Sequence, residues 1–168
     1  YNPYWTQIVE NDDGSYNSIS AFGYQALYST TTALGNIGIG YKAGRSLTTG
    51  SRNIAMGYEA LTSSVTRSDN IAIGRYVLKS NTGGGGNVAI GMDCSYASTS
   101  GDLSTSIGYY ANNTNTTGTW NISLGYDANP SSNTASSQCT LGNSNISNLR
   151  CNDTSISSLS DQRDKTNI

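Results

Sequence analysis

The chain has 168 residues, of which 35% are hydrophobic, 9% aromatic and 12% charged, with a formal net charge of -2 and no histidine. At this apolar content a compact globular core would be thin, and the excess of Ser, Thr, Asn and Gly favours extended structure with many turns. The charge leaves no basic field for nucleic acid, and no apolar run reaches the roughly 18 to 20 residues of a membrane-spanning helix. We therefore expect neither nucleic acid binding nor membrane insertion.

Residues 1–17 come before the first recognisable repeat. Tyr4, Trp5, Ile8 and Val9 are followed by an Asn-Asp-Asp-Gly turn at residues 11–14. We expect this segment to be an N-terminal cap on the open edge of the repeats or a connector, and a hairpin joined to an upstream domain is the alternative. The chain starts at Tyr1 without an initiating Met or a leader sequence, as expected for a piece of a longer protein.

Residues 18–145 contain a glycine at every 17th position. The residue before each glycine is large and apolar, and the residue before that is small. This alternation predicts one short strand in each repeat, and the glycine predicts a turn with positive φ, after which a Tyr-x-Ala sequence starts a return strand. The turn glycines are Gly23, Gly40, Gly57, Gly74, Gly91, Gly108, Gly125 and Gly142, and the large residues that we assign to the core are Ile39, Met56, Ile73, Ile90, Ile107, Leu124 and Leu141.

Eight stacked coils of 17 residues predict an all-β parallel β-solenoid. Both faces of the strand look buried. One face can pack inside the coil, but a single thin roll has nothing to cover the other, so we expect several chains to share an axis in a homotrimer. The sequence does not say which face meets the neighbouring chain. A monomeric solenoid with a partly exposed apolar sheet is the alternative.

The rest of each coil, such as residues 62–69 or 112–119, is rich in Ser, Thr, Asn and Gly and is expected to be a solvent-facing loop. The four glycines at 83–86 fit this loop as a permissive turn, because no Gly-Lys-Ser/Thr element follows to make a phosphate cradle. Trp120 lies in a loop position where other coils carry Arg52, Asp69 or Gly86. We therefore take Trp120 as a candidate exposed aromatic contact to a receptor.

Two further residue classes bear on chemistry. Glu59, Asp93 and Asp127 occur two positions after the glycine in non-adjacent coils, which is typical of a solvated edge rather than of a glycosidase's carboxylate pair. The three cysteines, Cys94, Cys139 and Cys151, have unrelated spacings, so we expect small buried side chains rather than a disulfide framework or a metal site. We expect no cofactor, no metal and no enzymatic turnover.

The motifs Asn-Ile-Ala-Met-Gly at residues 53–57 and Asn-Ile-Ala-Ile-Gly at residues 70–74 carry a resemblance. They resemble the left-handed parallel β-roll head of YadA-like trimeric autotransporter adhesins, over residues 18–145. The resemblance implies a homotrimer of rolls that presents an adhesive surface to a host. The 17-residue coil is longer than is usual for those heads, and the additional residues lie in the polar loop.

A second resemblance lies at the C-terminal end. The Ser-Asp-x-Arg-x-Lys sequence at residues 160–165 is similar to the start of the self-cleaving intramolecular chaperone domain of phage tail fibres, tail spikes and endosialidases. The resemblance implies that Ser160 is the nucleophile of a single cleavage before Asp161 and that Lys165 activates it. Residues 141–144 and 149–152 resemble the connector before that domain. We therefore divide the C-terminal part into a connector at 146–159 and a truncated chaperone start at 160–168.

Together the resemblances imply a structural and receptor-binding segment of a trimeric phage tail fibre, located in the virion. Its expected partners are two further copies of the chain and a host surface glycan or protein. The head of a bacterial trimeric autotransporter adhesin, on the bacterial outer surface, is the alternative. A second alternative is the non-catalytic stem of a glycan-degrading tail spike.

Overall fold

The computed structural model describes residues 9–10 and 16–147. Strands β1 (Val9–Glu10) and β2 (Tyr16–Asn17) pair in antiparallel fashion as a separate two-stranded sheet. The main sheet consists of β3 (Ser20–Phe22), β4 (Ile37–Ile39), β5 (Ile54–Met56), β6 (Ile71–Ile73), β7 (Val88–Ile90), β8 (Thr105–Ile107), β9 (Ile122–Leu124) and β10 (Cys139–Leu141). Trp5, Cys151, Ser160 and Lys165 lie outside the described residues, as does most of the predicted cap and all of the predicted chaperone segment.

The main sheet is parallel, and its strands lie in sequence order from β3 to β10. Each strand pairs with the next at a shift of 17 residues, so that Ile54 lies beside Ile71 and Ala55 beside Ala72. Each 17-residue step is therefore one turn of the chain around a common axis, and the eight strands are joined by seven such steps. The predicted parallel β-solenoid is confirmed.

The repeat glycines end each strand in a conformation that an L-residue rarely adopts. Seven of them have φ between 111 and 138°, and Gly142 has φ 70°. The backbone N–H of Gly74 donates to the carbonyl oxygen of Met56 in the preceding coil at 2.7 Å. A Cβ atom on Gly74 would lie 2.6 Å from the carbonyl oxygen of Gly91 in the next coil. The predicted positive-φ turn is confirmed, and close stacking of the coils requires the glycine as well.

The residues after each glycine form a turn, so the predicted return strand is wrong. The second and fourth residues after the glycine have left-handed backbone conformations, as Glu59 (φ 51°) and Leu61 (φ 50°) illustrate. Extended structure cannot continue through such residues. The turn still bonds from coil to coil, because the backbone N–H of Leu61 donates to the carbonyl oxygen of Val77 at 2.9 Å.

The core of the roll is formed by the small side chains of the strands. Ala55, Ala72 and Ala89 are fully buried, and they pack with turn residues such as Leu61 and Leu78. There is no room for larger strand residues, since a Cβ on Gly38 would lie 2.6 Å from Cγ of Leu27. The seven large residues assigned to the core therefore point outward and are half-buried or exposed, so that prediction is wrong for the single chain. These residues are Ile39, Met56, Ile73, Ile90, Ile107, Leu124 and Leu141.

The polar part of the coil is more ordered than a solvent-facing loop. Ser64, Asn81 and Asn115 are buried, as is Gly84 within the run of four glycines. The backbone groups of this polar part form hydrogen bonds between successive coils. For example, the N–H of Thr99 donates to the carbonyl oxygen of Thr116 at 2.8 Å. The loop prediction is therefore wrong for these inward-facing positions, because stacking satisfies their backbone groups.

Candidate functional site

The outward side of the sheet is a continuous apolar surface, which we call the apolar strand face. It consists of the first and third residues of strands β4 to β10 that carry large apolar side chains. Ile39 is 37% exposed, Ile107 42% and Leu141 46%. At about 4.8 Å between strands, this face is roughly 30 Å long. The face consists of Ile37, Ile39, Ile54, Met56, Ile71, Ile73, Val88, Ile90, Ile107, Ile122, Leu124 and Leu141.

Buried asparagines support this face from the position just before strands β4, β5, β6, β7 and β9. The side-chain oxygen of Asn36 accepts a hydrogen bond from the backbone N–H of Asn53 at 2.8 Å, and Nδ2 of Asn36 donates to the carbonyl oxygen of Gly50 at 2.7 Å. The same pattern holds at Asn53, Asn70, Asn87 and Asn121. The sequence shows that asparagine opens most repeats, but the reason is this buried bridge between strand and loop.

A row of tyrosines follows the turn glycines on another side of the rod. Tyr24, Tyr41 and Tyr58 stack in successive coils with ring centroids 5.4 and 4.9 Å apart. Tyr109 and Tyr126 stack in the same way at 5.5 Å. Because the coils repeat at about 4.8 Å, close to the centroid separation of offset-stacked rings, tyrosines at the same position of successive coils form an aromatic ridge.

The three acids two positions after the glycine have different surroundings. Glu59 pairs with Nζ of Lys79 at 2.8 Å, and Oδ1 of Asp127 accepts from Nδ2 of Asn129 at 2.7 Å. Asp93 instead lines a surface cavity of about 270 Å³. The cavity also contains Tyr76 and Tyr96, and its remaining lining residues are Tyr110 and Asn113. The acids therefore do not act as one pair. The cavity could not be recognised from the sequence, because the left-handed turn conformation decides how its residues leave the rod.

Trp120 is exposed, as predicted, with 62% of its surface accessible. It shares its coil position with Arg52, Asp69, Leu103 and Ser137, and all of them have positive φ. The backbone N–H of Trp120 donates to the carbonyl oxygen of Asp102 at 3.0 Å, which holds the backbone while the indole projects from the rod. The same position carries an ion pair elsewhere, with Nε of Arg52 2.6 Å from Oδ1 of Asp69.

The cysteines differ from each other. Cys94 is fully buried, and burial raises the pKa of its thiol to about 12. Its Sγ donates to the carbonyl oxygen of Ser106 at 3.2 Å. Cys139 is exposed, because it occupies an outward position of β10, so the expectation of a buried side chain is wrong there. Among the described residues, no group of His, Cys, Asp and Glu is arranged to hold a metal ion.

The described part of the chain contains no helix with the length and apolar character needed to cross a membrane. Ser160 and Lys165, the predicted self-cleavage residues, lie outside that part, and their roles remain predictions. Comparison with protein-family models, with curated proteins and with solved structures finds no match for this chain.

Proposed function

We propose that this chain is a structural and receptor-binding segment of a homotrimeric phage tail fibre, which mediates attachment of the virion to its host. The observation that carries the proposal is the apolar strand face, which runs from β4 to β10 and is half-buried or exposed in the single chain. A surface of this size and regularity is typical of an interaction site.

A second copy of the same chain is the natural partner for this face. Its side chains repeat at the spacing of the strands, about 4.8 Å, and only a partner with the same spacing can interdigitate with them over the full length of the rod. Two neighbouring rolls around a shared axis supply that partner. The number three comes from the resemblance of the Asn-Ile-Ala-Ile-Gly repeats to trimeric left-handed β-roll heads.

The assignment to a virion depends on residues 160–165, which resemble the chaperone start of tail fibres and tail spikes. In a longer precursor, Ser160 and Lys165 would cut the chain once before Asp161. The roll repeat on its own also supports the alternative, a bacterial trimeric adhesin head on the outer surface. The type of cell that the protein binds distinguishes the tail fibre from the adhesin head. A phage tail fibre attaches to bacterial cells, whereas a bacterial adhesin head attaches to the tissue that the bacterium colonises.

The oligomer is tested by light scattering on the purified chain. We expect a mass three times the 17.7 kDa of one chain. A monomer mass at micromolar concentration would contradict the trimer. Attachment is tested separately by incubating the fluorescently labelled protein with panels of bacterial and animal cells, and lack of adsorption to any cell would contradict the receptor-binding part.

Trp120 is the proposed receptor contact on the exposed loop side. Replacing Trp120 with Ala removes an indole that is 62% exposed, so the fold should be unaffected. Adsorption to the recognised cell should weaken at least about tenfold if the indole is an anchor. The matched control is Leu103→Ala, in the same coil position and similarly exposed, for which we expect unchanged adsorption. Unchanged adsorption of the Trp120 variant would remove this residue from the site.

A further inference from the structure

The cavity beside Asp93 is built from two rows of side chains in three successive coils. Tyr76, Asp93 and Tyr110 occupy the second position after the glycine, and Tyr96 and Asn113 occupy the fifth. Asp93 is shorter than the two tyrosines that flank it, so it interrupts the row of rings. The backbones of Tyr76 and Tyr110 are two coil spacings apart, about 9.6 Å, and the gap between them forms the cavity.

The tyrosine rings at this cavity are held in place by their neighbours. Tyr96 meets Tyr76 edge to face, with centroids 6.3 Å apart, and Tyr110 lies against Tyr109 at 4.1 Å. A hydrogen bond with the Tyr110 side chain raises the pKa of Tyr109 to about 12, so the Tyr109 hydroxyl stays neutral at physiological pH. The left-handed backbone conformations of Tyr76 and Tyr110 fix where their side chains leave the rod. The cavity is therefore largely preformed.

The charges around the cavity balance. Arg75 and Lys79 both lie over the Tyr76 ring, 4.5 and 4.2 Å from its centroid, and Lys79 is paired with Glu59. An organic cation would meet these two cations, and an anion would meet the Asp93 carboxylate. A neutral ligand suits the site best, because it is not repelled by either set of charges and its transfer from water carries no cost of desolvating a charge.

We propose that this cavity is a binding subsite for a neutral hexopyranose unit of a surface glycan. Aromatic rings contact the apolar C–H faces of a pyranose, while the Asp93 carboxylate and the Asn113 amide accept and donate hydrogen bonds to its hydroxyl groups. The cavity volume of about 270 Å³ suits one sugar ring rather than a larger ligand. This inference rests on the proposed receptor-binding function, for which it names the ligand class.

The test uses the purified full chain and three probes, the methyl glycosides of glucose, galactose and mannose, in saturation-transfer NMR. We expect at least one glycoside to bind with a Kd of about 1 mM, typical of a single sugar unit. Tyr96→Ala should weaken binding at least about tenfold. The matched control is Tyr28→Ala, which changes a tyrosine in the same coil position four coils away and should leave binding unchanged.

Asp93→Asn is the second variant, because asparagine tolerates the left-handed conformation at this position (φ 53°) and keeps the side-chain shape. Binding of a neutral sugar should weaken without becoming salt-dependent. Choline is the competing probe. Binding of choline but of no glycoside would overturn the proposal in favour of a cation cage, and glycoside binding unaffected by Tyr96→Ala would place the sugar elsewhere.

The subsite and the proposed function fail in different ways. Adsorption to cells that persists when no glycoside binds would refute the subsite and leave the receptor-binding function standing. Glycoside binding that depends on Tyr96, without adsorption to any cell, would support the subsite and refute the attachment function.

Discussion

The side-chain oxygen of Asn53 accepts two hydrogen bonds from Asn70, one from its backbone N–H at 3.0 Å and one from its Nδ2 at 3.2 Å. Both asparagines are fully buried. Each one joins the strand of its own coil to the loop and strand of the next, so the row acts as a polar spine inside the roll. Such a row is stable only while every member has its partners.

Replacing Asn70 with Ala should therefore be strongly destabilising. The change removes the acceptor for the backbone N–H of Asn87 and the donor to the carbonyl oxygen of Gly84, and leaves both groups buried. We expect the free energy of unfolding to fall by about 3 kcal/mol, measured by urea unfolding at fixed protein concentration. Asn133→Ala, at an exposed asparagine, is the control and should change it by less than about 0.5 kcal/mol. Equal effects of the two variants would contradict the role of the spine.

Gly74→Ala tests the close stacking of the coils. Its φ of 134° lies far from the left-handed well, and the added Cβ would be 2.6 Å from the carbonyl oxygen of Gly91. We expect a loss of more than about 3 kcal/mol or failure to fold. Gly35→Ala is the matched control, because its φ is 65° and the nearest atom, Cγ of Arg52, would be 3.7 Å away. The control should cost about 1 kcal/mol by the same urea measurement, and a similar loss for both would argue against the steric explanation.

Ile107→Lys tests the apolar strand face as the contact between copies. A lysine here would place a charge in the proposed interface, so we expect the proposed trimer to dissociate to monomers in light scattering. The roll should persist in circular dichroism, since this side chain is 42% exposed in the single chain. Val65→Lys makes the same change at a loop residue with 40% exposure and should leave the trimer intact. A trimeric Ile107 variant would place the interface elsewhere.

The buried thiol predicts a pH effect. Because burial raises the pKa of Cys94 from 9.0 to about 12, the folded state favours the neutral thiol. As pH rises, the Cys94 thiol of the unfolded chain loses its proton before that of the folded chain. The contribution of this thiol to the free energy of unfolding is therefore fully present below pH 9.0 and falls progressively between that value and about 12. We expect Cys94→Ala to remove this component, measured as the difference in urea midpoints between pH 8 and about pH 10.5. An identical pH dependence in the wild type and the variant would contradict it.

The same thiol should resist alkylation while Cys139 reacts. Iodoacetamide at pH 8 needs an accessible thiolate, and in the single chain Cys139 is exposed whereas Cys94 is buried. Because Cys139 lies on the strand side that the proposed trimer covers, the test uses the Ile107→Lys variant, which we expect to be monomeric. Peptide mapping after brief treatment should show the modification on Cys139, and on Cys94 only after unfolding in urea. Rapid labelling of Cys94 in the folded protein would mean that the coil around it opens.

Much of the candidate surface could be predicted from sequence, but not its orientation. The residues before the turn glycines were correctly grouped, because a period of 17 brings them to one side of one sheet. They were assigned to the core, which is wrong for the single chain, because large apolar residues normally fill a core. The cavity beside Asp93 was missed, because proximity between Tyr76 and Tyr110 depends on how the turn residues leave the rod.

The architecture follows from the sequence alone. The regular spacing of glycines such as Gly57 and Gly74 sets the length of the coil, and residues that recur at this spacing must stack. Which face of the strand is internal becomes clear only from the packing of the folded coil. Leu61 and Leu78 enter the coil from the turn and leave space only for Ala55 and Ala72 from the strands, so Met56 and Ile73 face outward. The alternation of large and small residues in the strand fits either face pointing inward. Only the volume that is available inside the closed coil decides that the small residues face inward.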